Sequence, residues 1–348
     1  MASRVPGIRL GIATLSAAAL IVLSTGIGVA EPDGPSADST TTTSTTTAPS
    51  SQPTSEPAAS AAGVQAQAGP VAYTIINYGE TCGLATVGLA DGVVTALPAA
   101  ASKLACVADL TFGPDGGLYG IIGDGNNDAG ALNVHLVQFA LTTGAPTDLG
   151  TITGNFTYST IFGTGDVGIA TGGDGRVYAT ITTNEIPGCG PAFCVYDVNV
   201  ANRVATLVGP VGAATGPFAD KPFLTMTADC GTTMWTLVSR NETGPQLFLV
   251  TVSQSTGAAT QGPLIGPGPP PRPFGIEFDR TSRNLYFLAG EVETPEALYT
   301  LDPSSGTPTK VAELSGDPQG FFERLAIQGT CPAAPAPAPI EVVINFTG

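Results

Sequence analysis

The chain has very little histidine, tryptophan or basic side chain. Its 348 residues include one His, one Trp and three Met. A single imidazole excludes a multi-histidine metal site and leaves almost nothing for a histidine-based catalytic triad. The 12 Lys and Arg residues face 28 Asp and Glu residues, which gives a formal charge of −16. This balance argues against a nucleic-acid-binding protein, because such proteins need a basic surface.

Charged residues of either sign are also scarce, at 11% of the chain, while Gly (45) and Pro (30) are abundant. Together Gly and Pro approach the content at which chains no longer form a packed core. The hydrophobic content of 43% is nevertheless high enough to form a hydrophobic core. We therefore expect a folded domain whose elements are short and separated by many turns.

Residues 1–30 resemble a secretory signal peptide. Arg4 and Arg9 precede an uncharged apolar run from Leu10 to Val29, which ends in the small-x-small triplet Gly28-Val29-Ala30. We predict cleavage before Glu31 and a secreted, extracellular or cell-surface protein. The alternative is a retained membrane anchor, because the run is long enough to span a bilayer.

Low-complexity segments flank the central part of the sequence. Fourteen of the twenty residues from Ser36 to Ser55 are Ser or Thr, with one charge at Asp38, so residues 31–70 are predicted to be a disordered linker. Residues 332–348 form a Pro/Ala-rich tail with no role that the sequence reveals. The folded domain is predicted to cover residues 71–331.

This domain contains an internal repeat. An aromatic residue flanked by apolar or small residues recurs at intervals of 46, 59, 57 and 51 residues, at Tyr73, Tyr119, Tyr178, Trp235 and Tyr286. Such spacing matches a four-stranded propeller blade, and turn residues before and after each aromatic predict two hairpins per unit. The first unit lacks its inner strand, whereas residues 324–328 supply one surplus strand. We therefore predict an all-β, five-bladed β-propeller closed by N-terminal strands and a C-terminal inner strand, with an open β-solenoid as the alternative.

One repeat reads Leu-Tyr-Thr-Leu-Asp-Pro-Ser-Ser-Gly over residues 298–306. It resembles the repeats of secreted bacterial β-propellers of the NHL-like and lactonase-like group. The resemblance is generic, so it implies the fold and no particular activity.

Six cysteines in an exported chain are expected to form disulfides. Cys82 and Cys106 fall in neighbouring loops on one face, and Cys189 and Cys194 bracket a four-residue loop. Cys230 and Cys331 each follow an inner strand, although their blades are not adjacent. We predict these three pairs; zinc binding by the Cys189–Cys194 spacing is the alternative for the second.

Acidic residues on the predicted inner strands are the candidates for chemistry. Asp109, Asp166 and Glu277 lie where a propeller places its central channel, and a pair of carboxylates is the machinery of a glycosidase. Alternatively, Arg324 on the closing strand pairs with Asp109 and Glu277 in a buried charge cluster that sets closure and register. We favour this structural role.

The loop Asp124-Gly125-Asn126-Asn127-Asp128 places oxygen side chains at alternate positions, as in a calcium loop. Asp124, Asn126 and Asp128 are therefore candidate calcium ligands. The glycine and the glutamate expected at the later positions of an EF-type loop are missing, so an ordinary polar loop is the alternative.

Two classes of function fit these features. The first is a non-catalytic binding or surface-display module for an unidentified extracellular protein or glycan; the second is a carbohydrate- or lactone-active hydrolase with channel carboxylates. We favour the first, because the only Trp occupies a repeat core position and histidine ligands are missing. We expect a monomer without a cofactor, and no binding to nucleic acid or, after signal removal, to membranes.

Overall fold

A computed structural model describes residues 70–124, 133–156, 167–186, 190–211, 223–240, 246–266, 272–291, 294–316 and 320–331. The predicted signal segment 1–30, the linker up to residue 69 and the tail 332–348 lie outside these residues. The regular structure within them is β-strand apart from one short 3-10 helix, at Lys103–Ala105. The predicted all-β class is confirmed. No helix in the described ranges is long and apolar enough to cross a membrane.

The strands form five antiparallel sheets, or blades, each built around four strands. In chain order they are β1 (Val71–Asn77), β2 (Cys82–Gly88) and β3 (Val93–Ala96) in blade 1; β4 (Asp109–Phe112), β5 (Leu118–Asp124), β6 (Asn133–Phe139) and β7 (Pro146–Thr151) in blade 2; β8 (Thr153–Gly154), β9 (Val167–Thr171), β10 (Val177–Ile186), β11 (Gly190–Asn199) and β12 (Val204–Pro210) in blade 3; β13 (Phe223–Ala228), β14 (Thr233–Arg240), β15 (Gln246–Ser253) and β16 (Ala259–Leu264) in blade 4; β17 (Arg272–Asp279), β18 (Asn284–Glu291), β19 (Thr294–Leu301) and β20 (Pro308–Glu313) in blade 5; and β21 (Ser315–Gly316) and β22 (Phe321–Ile327), which return to blade 1.

The hydrophobic core is divided into five clusters, one between each pair of neighbouring blades. All described residues of the inner strands β4 and β9 are buried, because other blades surround them. The inner strand β22 is buried at Phe322 and from Leu325 to Ile327, whereas Phe321 is exposed. The outermost strands are far more exposed: β7, β16 and β20 contain only exposed and partly buried residues, as expected at the rim of a blade. The five repeated aromatics lie on the second strand of each blade, where the sequence predicts them.

Strand β22 closes the ring. It pairs antiparallel with β1, with Ala72 opposite Ile327 and Asn77 opposite Phe321, and it packs against the inner strands β17 and β4 of the blades on either side. The close approach to β17 requires a glycine, since a Cβ on Gly275 would lie 2.8 Å from the Cα of Arg324. The predicted five-bladed closed propeller is confirmed, and the open solenoid is wrong.

The antiparallel order places two kinds of connection on opposite faces of the ring. One face, here called the turn face, carries the turns from first to second and from third to fourth strand, at 113–117, 172–176, 229–232, 280–283, 89–92, 140–145, 200–203, 254–258 and 302–307. The other face carries the longer connections.

Disulfides tie both faces. Cys82 and Cys106 are bonded with their Cα atoms 4.9 Å apart, and Cys230 and Cys331 are bonded with their Cα atoms 5.2 Å apart. The second bond links the turn between β13 and β14 to the residues after β22, across blades that are not neighbours. Of the predicted pair Cys189–Cys194, Cys189 lies outside the described residues.

Short connector strands protect outer edges of blades. After leaving blade 2, β8 pairs in parallel with β12 of blade 3, and after leaving blade 5, β21 pairs in parallel with β3 of blade 1. An unpaired edge strand invites aggregation, so each connector covers backbone groups that would otherwise be open.

Candidate functional site

The carboxylate of Asp109 lies at the centre of the ring and is fully buried. Its Oδ2 atom accepts the backbone amides of Ile169 at 3.1 Å and Met226 at 2.8 Å. Its Oδ1 atom accepts the hydroxyl of Thr225 at 3.0 Å and the amide of Leu110 at 3.0 Å. One side chain of blade 2 therefore joins the inner strands of blades 3 and 4.

Burial dominates the electrostatics of Asp109 and raises the pKa of its carboxyl group to about 6. The positive charge of Arg324 opposes this effect, and so do the hydrogen bonds from Met226, Ile169 and Thr225. The free-energy cost of burying the charged carboxylate exceeds the stabilisation that these partners provide, so the pKa of Asp109 stays above its usual value.

Glu277 is a second buried carboxyl group on the inner strands, with 7% of its surface exposed. Burial raises its pKa well above the usual value, and the charge of Asp109 raises it further. Arg280 and hydrogen bonds from the Thr227 hydroxyl and the Ile327 amide act in the opposite direction. The structure thus brings Asp109 and Glu277 close enough to influence each other.

Two arginines act on these buried acids. Arg324 lies on β22, is half-buried and has a left-handed backbone with φ of 62°. Its charge lowers the pKa of Asp109, and the charge of Arg280 lowers the pKa of Glu277. The guanidinium of Arg280 also donates to the carbonyl of Thr171, which connects blade 5 to blade 3.

Threonines on the inner strands complete this network and have no counterpart among the predicted site residues. The Thr111 hydroxyl oxygen accepts the amide of Thr171 at 3.0 Å, and the Thr171 hydroxyl donates to the carbonyl of Phe112 at 2.6 Å. The hydroxyl oxygen of Thr227 accepts the amide of Phe278 at 2.9 Å. Threonine at alternate positions of successive inner strands is the sequence signal that marks these bonds between blades.

The central arrangement is better suited to holding blades together than to chemistry on a substrate. Four hydrogen bonds occupy the Asp109 carboxylate, and a backbone amide of the closing strand reaches Glu277. Surface cavities of about 310 to 580 Å³ lie on the described parts of blades 1, 3, 4 and 5, and neither acid borders these cavities. The third candidate acid, Asp166, lies outside the described residues.

Of the candidate calcium ligands, Asn126 and Asp128 lie outside the described residues, and Asp124 ends β5. Within the described part of the chain, no group of three or more His, Cys, Asp or Glu side chains is arranged to hold a metal ion.

Because Asp109 and Glu277 are buried and have raised pKa values, we expect the protein to be more stable at pH 4.5 than at pH 7.5. Their folded pKa values exceed the unfolded ones, so the folded state binds more protons between pH 4 and 6, and the free energy of unfolding falls as the pH rises through this window. The rise in the pKa of Asp109 corresponds to about 3 kcal/mol over its whole titration, of which about 2 kcal/mol falls between pH 4.5 and 7.5, and Glu277 acts in the same direction. Urea denaturation at both pH values measures the difference.

Surface repulsion in this acidic chain gives a pH dependence of the same sign. The titration is therefore repeated in concentrated salt, which screens surface charges far more than buried ones. The exposed Asp302, whose pKa is lowered to about 2 by hydrogen bonds from Ser304 and Ser305, provides the control variant Asp302→Asn. Equal stability at the two pH values in high salt would contradict the burial of the two acids.

Comparisons with known proteins give similarity of structure only. No protein-family model and no curated protein matches the sequence. Among solved structures, TolB from Acinetobacter baumannii is 12% identical with a TM-score of 0.38; the alignment covers 71% of this chain and 53% of TolB, so the chain spans about half of TolB. The periplasmic gluconolactonase PpgL from Pseudomonas aeruginosa is 13% identical with a TM-score of 0.38, over 69% of this chain and 82% of PpgL. The propeller assignment rests on the strand topology described above.

Proposed function

We propose that this protein is an exported, non-catalytic β-propeller that binds an extracellular protein or glycan through its surface. The observation that supports a non-catalytic role is the central network: Asp109, the best placed of the candidate acids, has its carboxylate filled by backbone and hydroxyl donors of three blades. A general acid or nucleophile has to reach its substrate, and a group enclosed in this way serves the fold instead.

Export is supported by the disulfides. Cys82–Cys106 and Cys230–Cys331 are bonds of a kind that persist in oxidising compartments. They agree with the signal segment expected at residues 1–30. The formal charge of −16 favours solubility and disfavours anionic partners such as nucleic acids.

One observation favours the alternative, a carbohydrate- or lactone-active hydrolase. Asp109 and Glu277 are neighbouring carboxyl groups with raised pKa values, and a carboxylic acid that stays protonated near neutral pH is what glycoside hydrolysis requires. The alternative also requires a cavity that reaches them.

The test measures turnover directly. The chain from residue 31 onward, produced under oxidising conditions, is incubated with a panel of p-nitrophenyl glycosides and with gluconolactone, and release of product is followed. We expect no turnover above that of a heat-denatured sample. Turnover that persists through purification and is lost in Glu277→Gln, with an unchanged circular dichroism spectrum, would overturn the non-catalytic proposal.

A further inference from the structure

Each blade carries an equivalent row of paired residues that crosses its second, third and fourth strands. It consists of the repeated aromatic on the second strand, a polar residue on the third and a threonine on the fourth. The rows are Tyr73-Thr86-Thr95, Tyr119-Gln138-Thr147, Tyr178-Asp197-Thr206, Trp235-Thr251-Thr260 and Tyr286-Thr300-Thr309. Directly paired residues of antiparallel strands point to the same side of a sheet, so each row faces the gap towards one neighbouring blade.

Blade 3 differs from the others because its row contains a charged residue. Asp197 accepts a hydrogen bond from Arg176 at 3.1 Å, and Asp174 lies 3.7 Å from the same guanidinium group. Asp174 in turn accepts the hydroxyl of Tyr178 at 2.9 Å. The Arg176 side chain is 64% exposed, and a guanidinium has five N–H donors, so donors remain on its solvent side.

Two cavities, of about 580 and 550 Å³, flank this row on the turn face, and Arg176, Asp197 and Thr206 border both of them. The second extends to Gln254 on the turn face of blade 4, a buried side chain whose Nε2 donates to the carbonyl of Gly231 at 3.3 Å. We call this second cavity, bordered by Arg176, Asp197, Thr206, Leu207 and Gln254, the blade 3–4 groove.

We propose that the blade 3–4 groove is a binding site for a neutral oligosaccharide; this deepens the proposed binding function and rests on it. The groove combines planar groups that donate and accept several hydrogen bonds, a guanidinium, a carboxylate and an amide, with the threonine hydroxyl of the row. Such groups match the vicinal hydroxyls of a sugar, each of which donates and accepts.

Apolar surface and charge restrict the ligand further. Leu207, which borders the groove, is 40% exposed, which is high for a large apolar side chain. It offers contact area for the C–H face of a sugar ring. Asp174 and Asp197 outnumber Arg176, so an anionic ligand would meet a local negative charge in addition to that of the whole chain.

The experiment measures binding to an array of maltopentaose, mannopentaose, xylopentaose and N-acetylchitopentaose, with polygalacturonate and an oligolysine peptide as charged probes. We expect the chain from residue 31 onward to bind at least one neutral probe. Thr206→Val and Asp197→Ala should weaken that binding by about tenfold or more, because each removes hydrogen bonds from the bound sugar. Calorimetric titration with the probe that binds gives the affinities.

The matched control is Thr309→Val, which makes the same change in the equivalent row of blade 5 and should leave the affinity unchanged. Equal affinities for Thr206→Val, Asp197→Ala and the parent would overturn the groove as the site while leaving a binding function in place. Binding to none of the neutral probes, or to the charged probes alone, would overturn the assignment of the ligand. Turnover in the hydrolase assay is a separate result, and it would overturn the proposed function instead.

Discussion

Deletion of residues 321–331 should abolish the native fold. These residues include β22, the inner strand of blade 1, and with it the buried side chains of Phe322, Leu325, Ala326 and Ile327. The deletion exposes the hydrogen-bonding edge of β1 and removes the contacts of blade 1 with blades 5 and 2, because β22 packs against both β17 and β4. A propeller opened in this way presents the unpaired edge of β1 to solvent, and we expect aggregation and binding of a hydrophobic dye.

Size-exclusion chromatography, dye fluorescence and near-ultraviolet circular dichroism report the loss of the closed ring. The deletion also removes Cys331, so the double variant Cys230→Ser with Cys331→Ser separates loss of the disulfide from loss of the strand. Deletion of residues 332–348, which retains β22, is the second control, and both controls should stay monomeric. A monomeric protein with an unchanged melting temperature after deletion of 321–331 would contradict the role of β22.

Replacement of Asp109 by alanine should lower the free energy of unfolding by about 3 to 5 kcal/mol, the range expected when one partner of a buried charged network is lost. The change leaves the amides of Ile169 and Met226 and the hydroxyl of Thr225 without their acceptor in the centre of the ring. Buried donors without partners are costly, since water cannot replace the lost bonds.

Urea denaturation of Asp109→Ala and Asp109→Asn measures this contribution. The asparagine variant keeps the size and one acceptor oxygen, so it should be less destabilised than the alanine variant. The exposed Asp302, changed to alanine, provides the control and should cost well under 1 kcal/mol, as surface polar contacts do. A destabilisation below about 1 kcal/mol for Asp109→Ala would show that the central donors find other partners, and would leave this acid available for chemistry.

Most of the fold was predictable from the sequence repeat. Aromatic residues at blade spacing and paired turns predicted the strands, because alternation and turn chemistry are local properties of the chain. Ring closure was also predictable from counting, since blade 1 lacked one strand and residues near 324 supplied one. The connectors β8 and β21 were not predicted, because two-residue strands carry no periodicity of their own.

The candidate site depended far more on tertiary structure. Asp109 and Glu277 were identified as inner-strand acids from the sequence. The hydrogen bonds of Asp109 reach residues 60 and 117 positions away, and no local pattern specifies which amides meet at the axis. Likewise, the action of Arg280 on Glu277 was not predicted, and Asp197 and Gln254 share a groove only because blades 3 and 4 are neighbours.

Periodicity, strand count and composition were enough to predict the all-β class, the number of blades, the closure by a C-terminal strand and the identity of the central acids. They did not predict that Asp109 connects three blades, that its carboxylate is enclosed or that the blade 3 row lies beside two cavities. Strand formation depends on neighbours along the chain, whereas burial, pKa and hydrogen-bond partners depend on the distances between strands that the closed ring imposes.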